Sequence, residues 1–151
     1  MKICFAASSG GHLEEITCLR PLAEGRESFL ITENSGQNKT AWGEQTYFFR
    51  QINRKEPLFL FHFLKLFIQA ICLINREKPD CIISTGALVT YPFCVVCKLK
   101  KIKIIYIESF ARVDEKSLTG KLMYPIADLF LVQWEEMKEL YPNAVYAGGV
   151  F

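Results

Sequence analysis

The sequence carries little net charge. Its 18 Lys and Arg against 16 Asp and Glu leave +2, too small an excess to argue for nucleic acid, whose binding rests on neutralising many phosphates. A G-x-x-x-x-G-K-[S/T] run is absent, which excludes a P-loop nucleoside triphosphatase. Internal repeats, low-complexity tracts and interdomain linkers are absent too. The 151 residues therefore read as one domain, 1–151, able to bury roughly two thirds of its unfolded surface. Nothing like a secretory leader stands before the first apolar run, since Met1 and Lys2 lead straight into Ile3; the expectation is a cytoplasmic protein with reduced thiols. Among the six cysteines, Cys94 and Cys97 have C-x-x-C spacing but no second pair and no nearby His. They read as buried structural thiols, and neither a metal nor a cofactor is expected.

Apolar residues are plentiful instead. Half the chain is hydrophobic and 12 residues are Phe, which points to apolar surface beyond the needs of one core, for a partner or a membrane. The strangest stretch runs over 57–75, with a Pro suited to a helix start at Pro57. His62, Lys65, Gln69 and Arg76 recur at helical spacing and make one narrow polar stripe on an apolar cylinder. A Lys and a His inside a short run argue against a membrane span, which wants about 20 apolar residues. Two readings remain: a buried core helix, or a helix with one flank in the bilayer interface. Phe59, Phe61, Phe63 and Phe67 cannot all face one core. Basic residues cluster at Arg50, Arg54 and Lys55 and at Lys98, Lys100, Lys101 and Lys103. A solvated face is the first reading of each cluster and an anionic membrane surface the second.

The rest of the chain is organised around Ser8-Ser9-Gly10-Gly11-His12-Leu13. It follows the apolar run Ile3 to Ala7 and precedes a helical pattern, so it reads as strand (2–7), tight turn and helix (11–20), ending at Pro21. Two glycines let a backbone approach a ligand without a Cβ in the way. A helix start offers unpaired N–H groups and a positive dipole end, a seat for phosphate. Ser8 or Ser9 is expected to cap that helix, and His12 puts an ionisable ring beside the seat. A plain strand-to-helix turn is the bland alternative. Further strands are expected at 28–32, 47–49 (edge-like), 81–84, 103–107, 128–132 and around 144–146. A turn-rich loop is expected at 33–38, and helices at 87–99 and 135–141. Strands alternating with helices mean an α/β fold, a parallel sheet flanked by helices. Ligands then gather at the carboxyl ends of the strands, which here carry Ser8 to His12, Glu33, Ser84-Thr85-Gly86, Glu108-Ser109 and Gln133-Trp134. A dinucleotide dehydrogenase fits weakly, because G-x-G-x-x-G is missing even though Glu33 is suitably placed.

Ser8 to Leu13 resembles the glycine-rich loop of the MurG-like glycosyltransferases. The segments 82–87, 105–112 (with Glu108-Ser109-Phe110-Ala111-Arg112), 127–134 and 141–151 resemble one family of small polysaccharide-biosynthesis proteins, CpsF or PssD. That family is similar to the subunit that anchors the bipartite N-acetylglucosaminyltransferase of N-glycan assembly. The resemblance covers essentially the whole chain. It implies a Rossmann-like domain equivalent to the N-terminal, acceptor-side half of a GT-B enzyme, at work in bacterial capsular or exopolysaccharide assembly. A separate donor-binding glycosyltransferase subunit would complete the active site, and the acceptor would be a sugar on a lipid diphosphate. Length agrees, since 151 residues supply one of the two domains such an enzyme needs. The eukaryotic members carry an N-terminal membrane helix; this sequence begins directly at its first strand, so attachment to the inner face of the plasma membrane is expected through surface features or the partner. The resemblance makes His12 or Glu108 the catalytic residue. Ser8, Ser9, Gly10, Gly11, Ser84, Thr85, Gly86, Ser109 and Arg112 would serve the acceptor and its phosphates, though Glu108 could equally cap a helix or pair with Arg112. Trp134, Gly148, Gly149, Val150 and Phe151 would meet the partner. The competing reading is a scaffold that recruits a transferase to the membrane and touches no substrate.

Overall fold

Short apolar runs, covered on both faces, make the interior of the sheet. The structure, a computed structural model, describes residues 1–34, 45–53 and 55–150; Arg54, Phe151 and residues 35–38 of the expected loop lie outside them. Seven strands pair in parallel: β1 (Lys2–Ala6), β2 (Glu27–Glu33), β3 (Thr46–Phe49), β4 (Cys81–Ser84), β5 (Lys103–Ile107), β6 (Leu129–Val132) and β7 (Val145–Tyr146). Their order is β3-β2-β1-β4-β5-β6-β7, so the expected α/β architecture is the observed one, with β3 at an edge. The chain builds outward from β1 to β3, crosses back, and builds the other way from β4. That reversal leaves a crevice beside the carboxyl ends of β1 and β4, the usual ligand position in such sheets.

Alternation along β1 sends Cys4 and Ala6 to one face and Ile3 and Phe5 to the other. The second face is covered by α1 (Gly11–Cys18) through Ile16. The first is covered by α2 (Phe59–Glu77) and α3 (Tyr91–Leu99), with Met123 of α4 (Leu118–Met123) and Met137 of α5 (Met137–Leu140) completing the larger core. Cys94 and Cys97 are buried in this core, and burial raises both thiols, Cys97 to about 12. They pack as small apolar groups, as their setting suggested.

Three of the differences from the sequence reading have a local physical cause. Pro21 does not end the helical path but sits in a 3-10 turn, Arg20–Ala23, where its missing N–H is harmless. The helix expected at 57–75 starts two residues later and runs to Glu77, where Lys78 takes a left-handed φ of 48° before Pro79. The polar segment after β5 ends in α4, a helix not expected; Ser117 caps it by accepting from the Gly120 amide at 2.8 Å.

α2 is a core helix along one stripe and carries an exposed apolar face on the other side. Leu66, Ala70, Leu73 and Ile74 are buried in the core, each larger side chain contributing roughly 1.5–3 kcal/mol. Its C-terminal end is tied down by Glu77, which accepts from Lys2 Nζ at 2.7 Å, Tyr47 Oη at 2.8 Å and Arg76 Nε at 3.0 Å. These donors hold the Glu77 carboxyl down at about 2, chiefly through Lys2. The outer face is different. Leu60, Phe61, Leu64, Ile68 and Ile71 are exposed, Phe61 and Ile68 by 63% and 64%. Phe59, Phe63 and Phe67 lie half-buried along one flank with rings 5.6 and 5.3 Å apart; Lys65, Gln69 and Arg76 are exposed too. By length and composition α2 is also apolar enough to cross a membrane, but its inner stripe belongs to the core.

Candidate functional site

The turn between β1 and α1 depends on Gly10, whose φ of +79° strains any L residue. The Gly10 carbonyl accepts from the Leu13 and Glu14 amides at 2.9 and 3.1 Å. The first-turn amides of Gly11 and His12 have no backbone partner among the described residues. A Cβ at Gly10 or Gly11 would meet nothing within 4 Å, so the approach to this helix start is open. Positive dipole and free N–H groups make it fit for an anion. The serines, however, do not cap α1. Ser8 Oγ donates to the Ser9 carbonyl at 3.3 Å, and Ser9 Oγ donates to Glu33 Oε2 at 3.4 Å. The Ser9 hydroxyl turns to Glu33 of β2 instead. Burial pushes the Glu33 carboxyl above its ordinary range, against the Ser9 hydrogen bonds. Ser8 and Glu33 line an open cleft of about 590 Å³, with Asn53, Lys55, Ala87 and Leu88 on its other walls.

The turn after β4 forms the opposite side. Ser84 is fully buried; it donates to Thr90 Oγ1 at 3.0 Å and accepts from the Gly86 amide at 3.3 Å. It therefore shapes the turn and does not line the cleft. Thr85, also buried, donates to the His12 carbonyl at 2.8 Å and locks the first turn of α1 to β4. Gly86 has φ +120°, and a Cβ there would stand 3.1 Å from His12 Cε1 and 3.3 Å from Tyr106 Oη. Only glycine lets the imidazole rest on this turn. His12 is partly exposed, yet its Nδ1 is buried without a hydrogen bond. So is Oε2 of Glu15, 3.7 Å away. Sequence reasoning did not single out Glu15 among the helix residues that follow the glycine turn.

Beyond β5 the structure departs further from expectation. Glu108 does not face the cleft: it is 1% exposed, and its carboxylate accepts from the Ser109 amide (3.0 Å), Ser117 Oγ (2.7 Å) and Tyr141 Oη (2.9 Å). It anchors α4 and α5 to β5, and proximity to it, after burial, drives the Tyr141 hydroxyl far above its ordinary range. Arg112 pairs with Glu115, not with Glu108. Ser109 does reach the site side, with Oγ 3.5 Å from Glu15 Oε1. Trp134 packs within the domain, its ring 4.8 Å from Phe110 and its Nε1 donating to the Phe110 carbonyl at 2.7 Å. Gly148 turns the chain at φ +75°, Gly149 is exposed, and Val150 folds back, its amide donating to Gln133 Oε1 at 2.8 Å. Trp134 and Val150 thus contact their own domain; β7, with Val145 and Tyr146 exposed, is the open apolar edge near the end of the chain. Phe151 lies outside the described residues.

Comparison with solved structures places this fold among GT-B Rossmann-like domains. It superimposes on MurG of Acinetobacter baumannii with a TM-score of 0.74 and 15% identity, over 90% of this chain and 43% of that one. UDP-GlcNAc 2-epimerase of Methanocaldococcus jannaschii, in complex with UDP-GlcNAc and UDP, gives 0.77 and 14%, over 99% of this chain and 47% of that one. The chain spans less than half of either. Among curated relatives, the rat UDP-N-acetylglucosamine transferase subunit ALG14 is 29% identical over 98% of this chain and 82% of its own length. The human ALG14 subunit is 35% identical over 67% and 50%, and that of Kluyveromyces lactis 52% identical over 52% and 31%. Most of these matches span half of the relative or less. Nothing in them supports the bacterial CpsF/PssD label or a capsular setting. Residues 32–150 match the model of the family described as "Oligosaccharide biosynthesis protein Alg14 like", and the chain belongs to that family.

Proposed function

We propose that the chain is the acceptor-side subunit of a two-subunit UDP-sugar glycosyltransferase, extending a sugar on a lipid diphosphate. The observation that carries the reading is the Gly10-Gly11 turn at the strand-order reversal, with two first-turn amides open and His12 held beside them on Gly86. The amides, with the Ser9 hydroxyl next to them in the turn, hold the diphosphate. His12 takes the proton from the acceptor hydroxyl as its oxygen attacks the anomeric carbon, and UDP leaves with the electrons of the broken bond. Glu108 acts as a structural anchor, given its burial and three hydrogen bonds. The donor site comes from a partner, since relatives of this chain are named subunits of a UDP-N-acetylglucosamine transferase. The exposed β7 edge and the residues after it are the docking surface. The outer face of α2 seats the domain on the cytoplasmic surface of a membrane, with Lys65 reaching lipid phosphates.

The test is transfer from UDP-GlcNAc to a lipid-diphosphate sugar by the chain, the partner and the pair. Transfer by the pair alone supports the reading, and robust turnover by the chain alone refutes it. Acceptors of N-glycan type and capsular type, run side by side, separate the two settings; the relatives favour the former. The scaffold reading draws on the internal satisfaction of Glu108, and normal turnover by a His12→Ala pair would establish it.

A further inference from the structure

We propose that Glu15 is a positioning residue for His12, fixing the imidazole as the Nδ1–H tautomer so that Nε2 is its basic nitrogen. The inference rests on the reading of His12 as proton acceptor and deepens it. Glu15 sits three residues after His12, on the same face of α1, and is 3% exposed. Its two oxygens have different partners. Oε1 accepts from the Phe110 amide at 2.7 Å and lies 3.5 Å from Ser109 Oγ, so the loop after β5 clamps the carboxylate in place. Oε2 is buried without a hydrogen bond and points at His12 Nδ1, equally buried and equally unpartnered, 3.7 Å away. Two buried orphan polar atoms facing one another are resolved by one proton between them. A carboxylate can only accept, so the proton belongs to Nδ1. With Nδ1 buried and the ring 29% exposed, the open edge of the imidazole is the Nε2 side. A carboxylate holding the far nitrogen of a histidine in this way sets which nitrogen takes up a proton.

The clamp makes the effect of one substitution specific. In Glu15→Gln the Phe110 amide still requires an acceptor, so the amide oxygen must occupy the Oε1 position. The NH2 group then takes the place of Oε2 and donates to Nδ1. The ring proton moves to Nε2, and the lone pair that would receive the acceptor's proton is lost. The chain has only two histidines, so side-chain 15N NMR on the folded chain, at a pH where the rings are neutral, resolves His12 directly. The expected result is Nδ1–H in the native chain and Nε2–H in Glu15→Gln. In the pair assembled with its partner, transfer should fall about a hundredfold or more, with KM for the nucleotide sugar unchanged. An Nε2–H ring in the native chain overturns the inference even if the variant fails to fold, and so does an unchanged tautomer in a folded variant. An inverted tautomer with undiminished transfer upholds the coupling and removes His12 from the role of base.

Discussion

Gly120→Ala sets two effects of opposite sign against each other. Alanine is the better helix former by about 1 kcal/mol, and Gly120 lies within α4, so propensity alone predicts stabilisation. Its position predicts the reverse. A Cβ there would lie 1.9 Å from Glu108 Oε2, 2.8 Å from Glu108 Cδ and 2.6 Å from Tyr141 Oη. These atoms cannot drift aside freely, because the Glu108 carboxylate is fixed by Ser109, Ser117 and Tyr141. Displacing it breaks the Tyr141 hydrogen bond and strains that of Ser117, which itself caps the helix. A hydrogen bond to a charged group contributes about 1.5–3 kcal/mol, so the disruption costs about 3–5 kcal/mol and the net loss is about 2–4 kcal/mol. Urea unfolding should show a lower midpoint with an unchanged slope. In a Glu108→Ala background the loss should shrink, because the colliding carboxylate is gone and the contact with Tyr141 Oη at 2.6 Å remains. An alanine variant as stable as the native chain would refute the reasoning.

The other predictions concern the C-terminal end and the outer face of α2. The folded Glu77 carboxyl, at about 2, lies below its ordinary 4.5; its stabilisation is therefore full above about pH 4.5 and lost as pH falls toward 2. Glu77→Gln should lower stability at pH 7 by about 1–3 kcal/mol and flatten the acid limb over that window, whereas an unchanged acid limb would show the cluster to be idle. Phe61→Ser with Ile68→Ser should leave unfolding within about 0.5 kcal/mol per site yet weaken binding to anionic vesicles at least tenfold. Undiminished binding would move the membrane contact elsewhere.

What the sequence made legible follows from how locally each feature is determined. Parallel strands buried on both faces read as apolar runs, so β1, β4 and β5 were plain, and the glycine loop was placed by its neighbours alone. α4 escaped because its start depends on Ser117 and Glu108, nine residues apart and joined only in the folded chain. Glu108 looked like a strand-end acid facing a ligand. Its true partners, Ser117 and Tyr141, are brought by elements that fold over it. Glu15 was invisible for the same reason, since the loop that buries it lies about 95 residues away. The serine caps failed because Gly10, not a serine, occupies the position just before the first helical residue. α2 could not be resolved from composition, which does not say how much of an apolar helix its own sheet will cover.

The central claim is that this chain holds the acceptor and not the nucleotide sugar. It is tested most directly by calorimetric titration of the folded chain with a short-chain lipid-diphosphate sugar and, separately, with UDP-GlcNAc. The lipid-diphosphate sugar should bind without any partner, and binding should fall at least tenfold in Gly11→Val, whose new Cβ meets nothing within 4 Å among the described residues but whose side chain occupies the approach to the open amides. UDP-GlcNAc should bind weakly or not at all. Tight binding of UDP-GlcNAc with no uptake of the lipid-diphosphate sugar would contradict the account.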